Sequence, residues 1–368
     1  MIIPITYQFK LYHRNQNVYL DRLINIAASI WNHCIALHRR YYKMYHKTLS
    51  KYALQKHITK LKKRESYRDW NQLNSQAIQD ITDRIDRAYK AFFDNLKTRR
   101  FKKKSPPHFK KQEKYKSITF KQCGYKFDGD NGIIVGKKHF KYFNSRPIEG
   151  KIKTVTIKRD GLGDFYIYVV VEKEFPDIQA RTGNAVGMDF GLKCFLTFDD
   201  GTHIKSPEWF KASLSEIRAA HRKVSRCKKG SNNYKRAVQH LARVYRKIAN
   251  RRRDYFFKLA KALVDKFAII CIEDLNLEAM KRIWGRKVSD LSYCEFVNIL
   301  QYMALKSGTK IIKIDRWAPS SKACHKCGWI NKQLTLKDRT WTCVCGALLD
   351  RDINAAINIK KLGLATLH

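Results

Sequence analysis

NAVGMDFGLKCFLTFDDG, residues 184–201, reads as an apolar strand, a bend built on glycine, and a second apolar strand. One acid, Asp189, stands in the first strand between Gly187 and Gly191, whose missing side chains would let a phosphate backbone come close. Downstream, FAIICIEDLNL (267–277) is a buried strand that ends in acids, so the carboxylate of Glu273 is expected at the carboxyl edge of a sheet. KIIKID (310–315) is another strand, and residues 207–266 and 291–307 read as helices. DRDINAAINIKKLG (350–363) is a last helix, with Ile353, Ala356 and Ile357 on its buried face and Gly363 as its stop. Asp352 falls in its first turn, where the helix dipole favours an anion.

A strand Asp, a strand-end Glu and a late helix Asp are the parts of an RNase H-like nuclease site. Such a site holds two Mg²⁺ ions, one activating water and one stabilising the leaving oxygen. Magnesium suits it, because that ion prefers carboxylate, water and phosphate oxygens to a closed protein cage. Each acid alone reads as readily as a turn acid or a helix cap; the three in order on these elements carry the argument. Of the two acids in DRDIN, Asp352 is the expected ligand. Asp350 lies one step outside the helix, free to pair with Arg351 or nearby lysines.

Between the last two strands and the last helix sits a second constellation, Cys324-His-Lys-Cys327 and Cys343-Val-Cys345. Two cysteine pairs about fifteen residues apart are the pattern of a zinc ribbon, in which four thiolates form a closed, structural Zn²⁺ site. The second pair is one residue short of the usual spacing, which leaves His325 as an alternative ligand. The other six cysteines are scattered, and none sits in a nucleophile context.

Upstream of residue 183 the texture is different. Ile5, Tyr7, Phe9 and Leu11 alternate as in a strand; residues 14–95 carry apolar residues at helical spacing; 117–180 break into short strands with turn signals. Strand one and the later strands are expected to form one small barrel, with the helices inserted in it. Between helices and strands, 97–116 hold ten Lys/Arg around Pro106-Pro107 and cannot form a core.

The chain carries 75 Lys+Arg against 32 Asp+Glu, a net charge of +43 in 368 residues. That excess repels itself unless a polyanion neutralises it, and nucleic acid is the natural partner. Within 218–253 there are fourteen Lys/Arg and no acid, whereas a merely solvated helix interleaves Glu with Lys. The expected contacts are Arg99, Arg100, Lys102, Lys103, Lys104, Lys110 and Lys111 in the basic linker. In the long helical region they are Arg222, Lys223, Lys228, Lys229, Arg246, Lys247, Arg251, Arg252 and Arg253. No apolar run approaches the roughly 20 residues of a membrane span, and the N-terminus lacks a secretory pattern. A reducing, cytoplasmic setting beside the nucleoid is expected, where cysteines bind metal rather than each other.

With those residues in view the sequence resembles the TnpB family, transposon-encoded relatives of the type V CRISPR effectors. YQFKLY…IWNHCIALHRRYY is similar to the family's opening strand and helix, PPHFKK to its Pro-x-Phe-Lys-Lys segment, and GMDFGLKCFLTFDDG to its first nuclease motif. IEDLNLEAM is similar to the second motif, and SSKACHKCG, RTWTCVCG and DRDINAAINI to the zinc insert and third motif. The resemblance implies an α+β, multidomain chain. A β-barrel wedge domain (1–13 and 117–182) carries a helical recognition insert (14–116). An RNase H-like, RuvC α/β nuclease domain (183–319 and 347–368) carries a zinc-ribbon insert (320–346). It implies a prokaryotic RNA-guided DNA endonuclease that takes a guide RNA from the transposon end and cleaves double-stranded DNA beside a short motif. Asp189, Glu273 and Asp352 would be its catalytic, magnesium-binding acids, the second Asp of DRD being the family's catalytic one. Two rivals remain at this stage: a non-cutting RNA-guided repressor, and an RuvC-type nuclease that uses no RNA.

Overall fold

The structure, a computed structural model, describes residues 2–98, 105–174, 181–192, 194–275, 282, 285, 291–335 and 338–367. The chain divides into two compact units, Met1–Pro176 and Asp177–His368.

In the first unit, β1 (Ile2–Lys10) buries every second residue and pairs antiparallel with β7 (Phe165–Glu174). Chain order supplies α1 (Asn17–Tyr45), α2 (Lys51–Leu61), α3 (Ser75–Thr98), β2 (Ser117–Phe120), β3 (Tyr125–Asp128), β4 (Gly132–Val135), β5 (Lys138–Lys141) and β6 (Lys151–Arg159). The strands make a four-stranded sheet, β1-β7-β6-β2, and a three-stranded one, β3-β4-β5. The expected barrel is therefore not closed among the described residues; the single bridge Leu11–Tyr142 links the two sheets. The alternating faces of β1, β6 and β7 and the apolar stripe of α1, including Leu20, Ile24, Ala27, Ile30 and Trp31, share one core.

In the second unit, a five-stranded sheet has the order β10-β9-β8-β11-β12. Its strands are β8 (Ala185–Asp189), β9 (Cys194–Phe198), β10 (His203–Lys205), β11 (Ile269–Glu273) and β12 (Lys310–Ile314). β8, β9 and β10 form an antiparallel meander, while β11 runs parallel to both β8 and β12. The helices are α4 (Trp209–Ala212), α5 (Leu214–Arg226), α6 (Asn232–Lys266), α7 (Tyr293–Ser307) and α8 (Arg351–Ala365), with the hairpin β13 (Thr340–Thr342) and β14 (Leu348–Asp350) just before α8. Phe195, Phe256, Tyr293 and Phe296 fill the core between sheet and helices.

Helix α8 packs on β8 and β11 more closely than side chains permit. A Cβ on residue 187 would stand 2.0 Å from the Ala356 carbonyl oxygen, and one on residue 363 would stand 2.5 Å from Cys271 Sγ. Gly187 is thus required by the helix, not by an approaching phosphate, and Gly191 lies in a tight bend against the Cys194 carbonyl. Gly363 does not stop α8; it is buried inside the last turn, and the helix runs on to Ala365. The buried face also differs from the apolar count. Asn354, Ala355, Ala356, Asn358 and Ile359 are buried, while Ile353 and Ile357 are only half-covered, because the asparagines have backbone partners. No described helix is long and apolar enough to cross a membrane.

Gly187→Ala is expected to destabilise the second unit by about 1–3 kcal/mol, because a methyl forced into a packed contact displaces backbone. Calorimetry of the full chain checks it; an unchanged melting profile would refute the close-contact role.

Candidate nuclease site and zinc ribbon

Asp189 and Glu273 are the last residues of adjacent parallel strands, and Met188 pairs with Ile272 immediately before them. The two carboxylates therefore leave the sheet at the same edge, in step. Asp352 arrives from above it. Helix α8 meets β8 at Ala356, and Asp352 lies one turn earlier, toward that edge. Lys360 Nζ binds Asp199 Oδ2 at 2.6 Å while Asp199 Oδ1 accepts from the Gly187 N–H at 2.9 Å, which clamps helix to strand.

The electrostatics register this arrangement. Burial pushes the Asp189 carboxyl up to about 8, and the charges of Glu273 and Asp352 push the same way, against Arg351 and the Phe190 N–H. Burial also raises Glu273, opposed by the Ser320 hydroxyl that donates to it. Asp352 is held by Arg339 Nη1 at 2.8 Å and by Arg351 Nε at 3.4 Å. Asp350 does not pair with Arg351 as expected. Its Oδ1 caps α8, accepting from the N–H groups of Asp352 and Ile353 at 2.9 and 3.0 Å. The N-cap thus uses one acid of DRD and leaves the other to the site.

Three carboxylates, one of them raised to about 8 chiefly by burial and further by the other two, are an oxygen donor set. The set fits divalent cations with oxygen preference. Among the described residues, however, only the four cysteines are gathered closely enough to hold an ion as they stand. The acids repel one another, and Arg339 draws Asp352.

The sulfurs of Cys324, Cys327, Cys343 and Cys345 all lie within 4.8 Å of one another, with Cys324–Cys345 at 3.8 Å and Cys327–Cys343 at 3.5 Å. These spacings suit a tetrahedral zinc with sulfurs about 2.3 Å from the ion. Each pair ends in a glycine of positive φ, Gly328 at +80° and Gly346 at +82°, which turns the backbone under the thiols even where the second pair is short. His325 stands outside the cluster of four sulfurs; its Nδ1 and backbone N–H both engage Asn354 Oδ1, at 3.0 and 2.9 Å.

Two family models match the chain, almost wholly within its second unit. One described as "Probable transposase", the OrfB_IS605 model, covers residues 168–284, and one described as "Cas12f1-like, TNB domain" covers 293–359. A protein of Streptomyces pristinaespiralis named as an RNA-guided DNA endonuclease is 33% identical over 315 residues, 84% of this chain and 76% of the relative. The chain belongs to the TnpB family. A second member, named as the RNA-guided DNA endonuclease InsQ of Escherichia coli (strain K12), is 29% identical over 80% of this chain and 75% of its own length. In fold, this TnpB-family chain is similar to the protein in a structure titled as a Cas12f1–sgRNA–target DNA complex. The TM-score is 0.59 at 15% identity, covering 94% of this chain and 83% of that one. It is also similar to the mini-RNA-guided endonuclease CRISPR-Cas_phi3, with TM-score 0.52 at 10% identity, covering 98% and 92%.

The basic residues divide. Arg222, Lys223, Lys228, Lys229, Lys247, Arg251 and Arg253 stand exposed on or between α5 and α6, and Lys111 is exposed in the linker. Arg252 instead pairs with Glu295 of α7 at 3.2 Å, and Arg246 is half-buried. Lys110 is half-buried, with its ammonium 3.9 Å from the Trp31 ring centre, and burial lowers its pKa. Arg99, Arg100, Lys102, Lys103 and Lys104 lie outside the described residues. The sequence reading missed Ser320, Arg339, Asn354 and Asn358. Only the asparagines left a signal, two amides one turn apart among apolar residues of a helix.

Asp189→Asn is expected to stabilise the metal-free protein. Asp189 binds its proton more tightly folded than unfolded, so the wild type loses stability as pH rises from about 4 and levels off above about 8. The gain from Asn should grow over that window in melts recorded with EDTA; a gain independent of pH would contradict it. Cys343→Ser should lose one equivalent of zinc by metal analysis and melt lower, because binding at a structural site is folding free energy. Zinc-free wild type would remove the ribbon assignment.

Proposed function

We propose that this chain is an RNA-guided DNA endonuclease that cleaves double-stranded DNA beside a short motif, directed by RNA from its own transposon end. Membership of the TnpB family and relatives named for that activity support the reading. The strand order β10-β9-β8-β11-β12, with acids ending its two central strands, supports an RNase H-like, RuvC nuclease unit. The observation that supports cleavage, rather than binding alone, is that Asp189 and Glu273 end adjacent parallel strands in step, with Asp352 in the first turn of the helix packed on them. A repressor that no longer cuts has no need to keep three buried or half-buried acids against one another.

In this reading Asp189, Glu273 and Asp352 hold two Mg²⁺, which when bound would supply Lewis-acid and water-activating chemistry at a phosphodiester. The chain's own residues set the frame. Ser320 orients Glu273, the Asp350 cap fixes the first turn of α8, and Arg339 and Arg351 hold Asp352. The thiols of the ribbon hold one Zn²⁺ with a structural role. The exposed cations of α5 and α6 bear on the backbone of an RNA–DNA hybrid, whose sequence is read by base pairing rather than by side chains. Such an enzyme acts on nucleoid DNA in the cytoplasm.

The protein should purify with RNA, and that RNA, sequenced, should name the target. With a matched plasmid and Mg²⁺, Asp189→Ala, Glu273→Ala and Asp352→Ala should abolish cutting while target binding stays near the wild-type level. Asp350→Ala should still cut, although loss of the cap costs about 1 kcal/mol of stability. Wild-type cutting by Asp352→Ala beside a dead Asp350→Ala would reverse the assignment. Absence of RNA from the soluble protein would favour the RNA-free nuclease.

A further inference from the structure

We propose that Trp317 is the stacking platform for one unpaired base of the DNA strand being cut, holding that strand against the carboxylates. The inference rests on the nuclease reading above. Trp317 is 83% exposed, the most exposed large apolar side chain among the described residues. Its position is three residues beyond Ile314, the β12 residue that pairs with Glu273.

The loop that carries the indole is held, not slack. Asp315 Oδ1 accepts from the Trp317 N–H at 2.7 Å, the Ala318 N–H donates to the Asp315 carbonyl at 3.1 Å, and the Ser320 N–H donates to the Ala318 carbonyl at 2.8 Å. On one side of Trp317 the Arg316 guanidinium binds Asp274; on the other the Ser320 hydroxyl binds Glu273. The loop is thereby tied at both ends to the pair of acids that closes β11, with the indole projecting between the ties. No described aromatic ring packs on it.

An uncovered indole on a hydrogen-bonded loop beside a carboxylate site, in a chain of net charge +43, suits a nucleobase better than an apolar protein surface. Inside a duplex each base is covered by its neighbours, so the base offered to Trp317 must come from a separated strand. Stacking then fixes which phosphate lies over the acids. Trp317 is a positioning residue: it acts on where and how fast the strand is cut, not on the chemistry of the phosphate.

The test uses the full protein with its RNA and a series of matched targets, each with one abasic nucleotide in the cleaved strand. Single-turnover cleavage by the wild type should slow at one position near the cut by roughly 5- to 150-fold, the span that stacking of one base supplies. Trp317→Ala should be slowed by a similar factor on the intact target, with scattered cut positions, and should lose nothing more from the abasic site at that position. Trp317→Tyr should recover most of the rate, which separates a lost platform from a damaged fold. Equal rates and cut positions for Trp317→Ala and wild type would overturn the proposal, as would abasic losses that simply add to those of the variant, and the indole would then fall to a protein partner. A wild type that cuts no matched target would instead sink the nuclease reading itself.

Discussion

Where α8 crosses β8, backbone meets backbone: a Cβ on residue 187 would stand 2.0 Å from the Ala356 carbonyl. The same helix repeats the device at its other end, with Gly363 against Cys271. Two glycines on different partners, one in the strand and one in the helix, let α8 sink onto the middle of the sheet. Its first turn then reaches the level at which β8 and β11 end. Asp352 is carried there by the helix, and Asp199 locks the level by accepting from both Lys360 and Gly187. A helix riding higher, on ordinary side chains, would carry its acid away from the other two.

The cysteine insert is built into this frame. Asn354 and Asn358, buried on α8, donate to the carbonyls of Ser320 and Ala323 at the insert's entry, and Asn354 also accepts from His325 beside the first thiol. Ser320 and Arg339, which bracket the cysteine pairs, each contact an acid of the site. The ribbon therefore forms a wall of the candidate site.

Much of this was legible because local pattern and chemistry agree. An apolar strand ending in an acid, a cysteine spacing and an acid two residues into a helix each announce themselves within a few positions. What the sequence hid was non-local. Gly187 looks like an opening for phosphate until the helix that fills the space is known. Gly363 looks like a helix stop because glycine usually is one. Nothing local in the sequence places Trp31 beside Lys110 or Glu295 beside Arg252. The strand pattern gave the residues of the first unit's sheets but not their closure, since alternation fixes which face is buried and says nothing of which edges meet.

The clamp between Lys360 and Asp199 joins residues 161 positions apart. Contacts that distant form late, because the intervening chain must be ordered before they return any stability. The β8–β9–β10 meander and the α5–α6 pair need only near neighbours. Topology thus favours early formation of the meander and the basic helix pair, and late convergence of Asp189, Glu273 and Asp352. A chain halted partway would present its basic helices without the assembled carboxylate cluster.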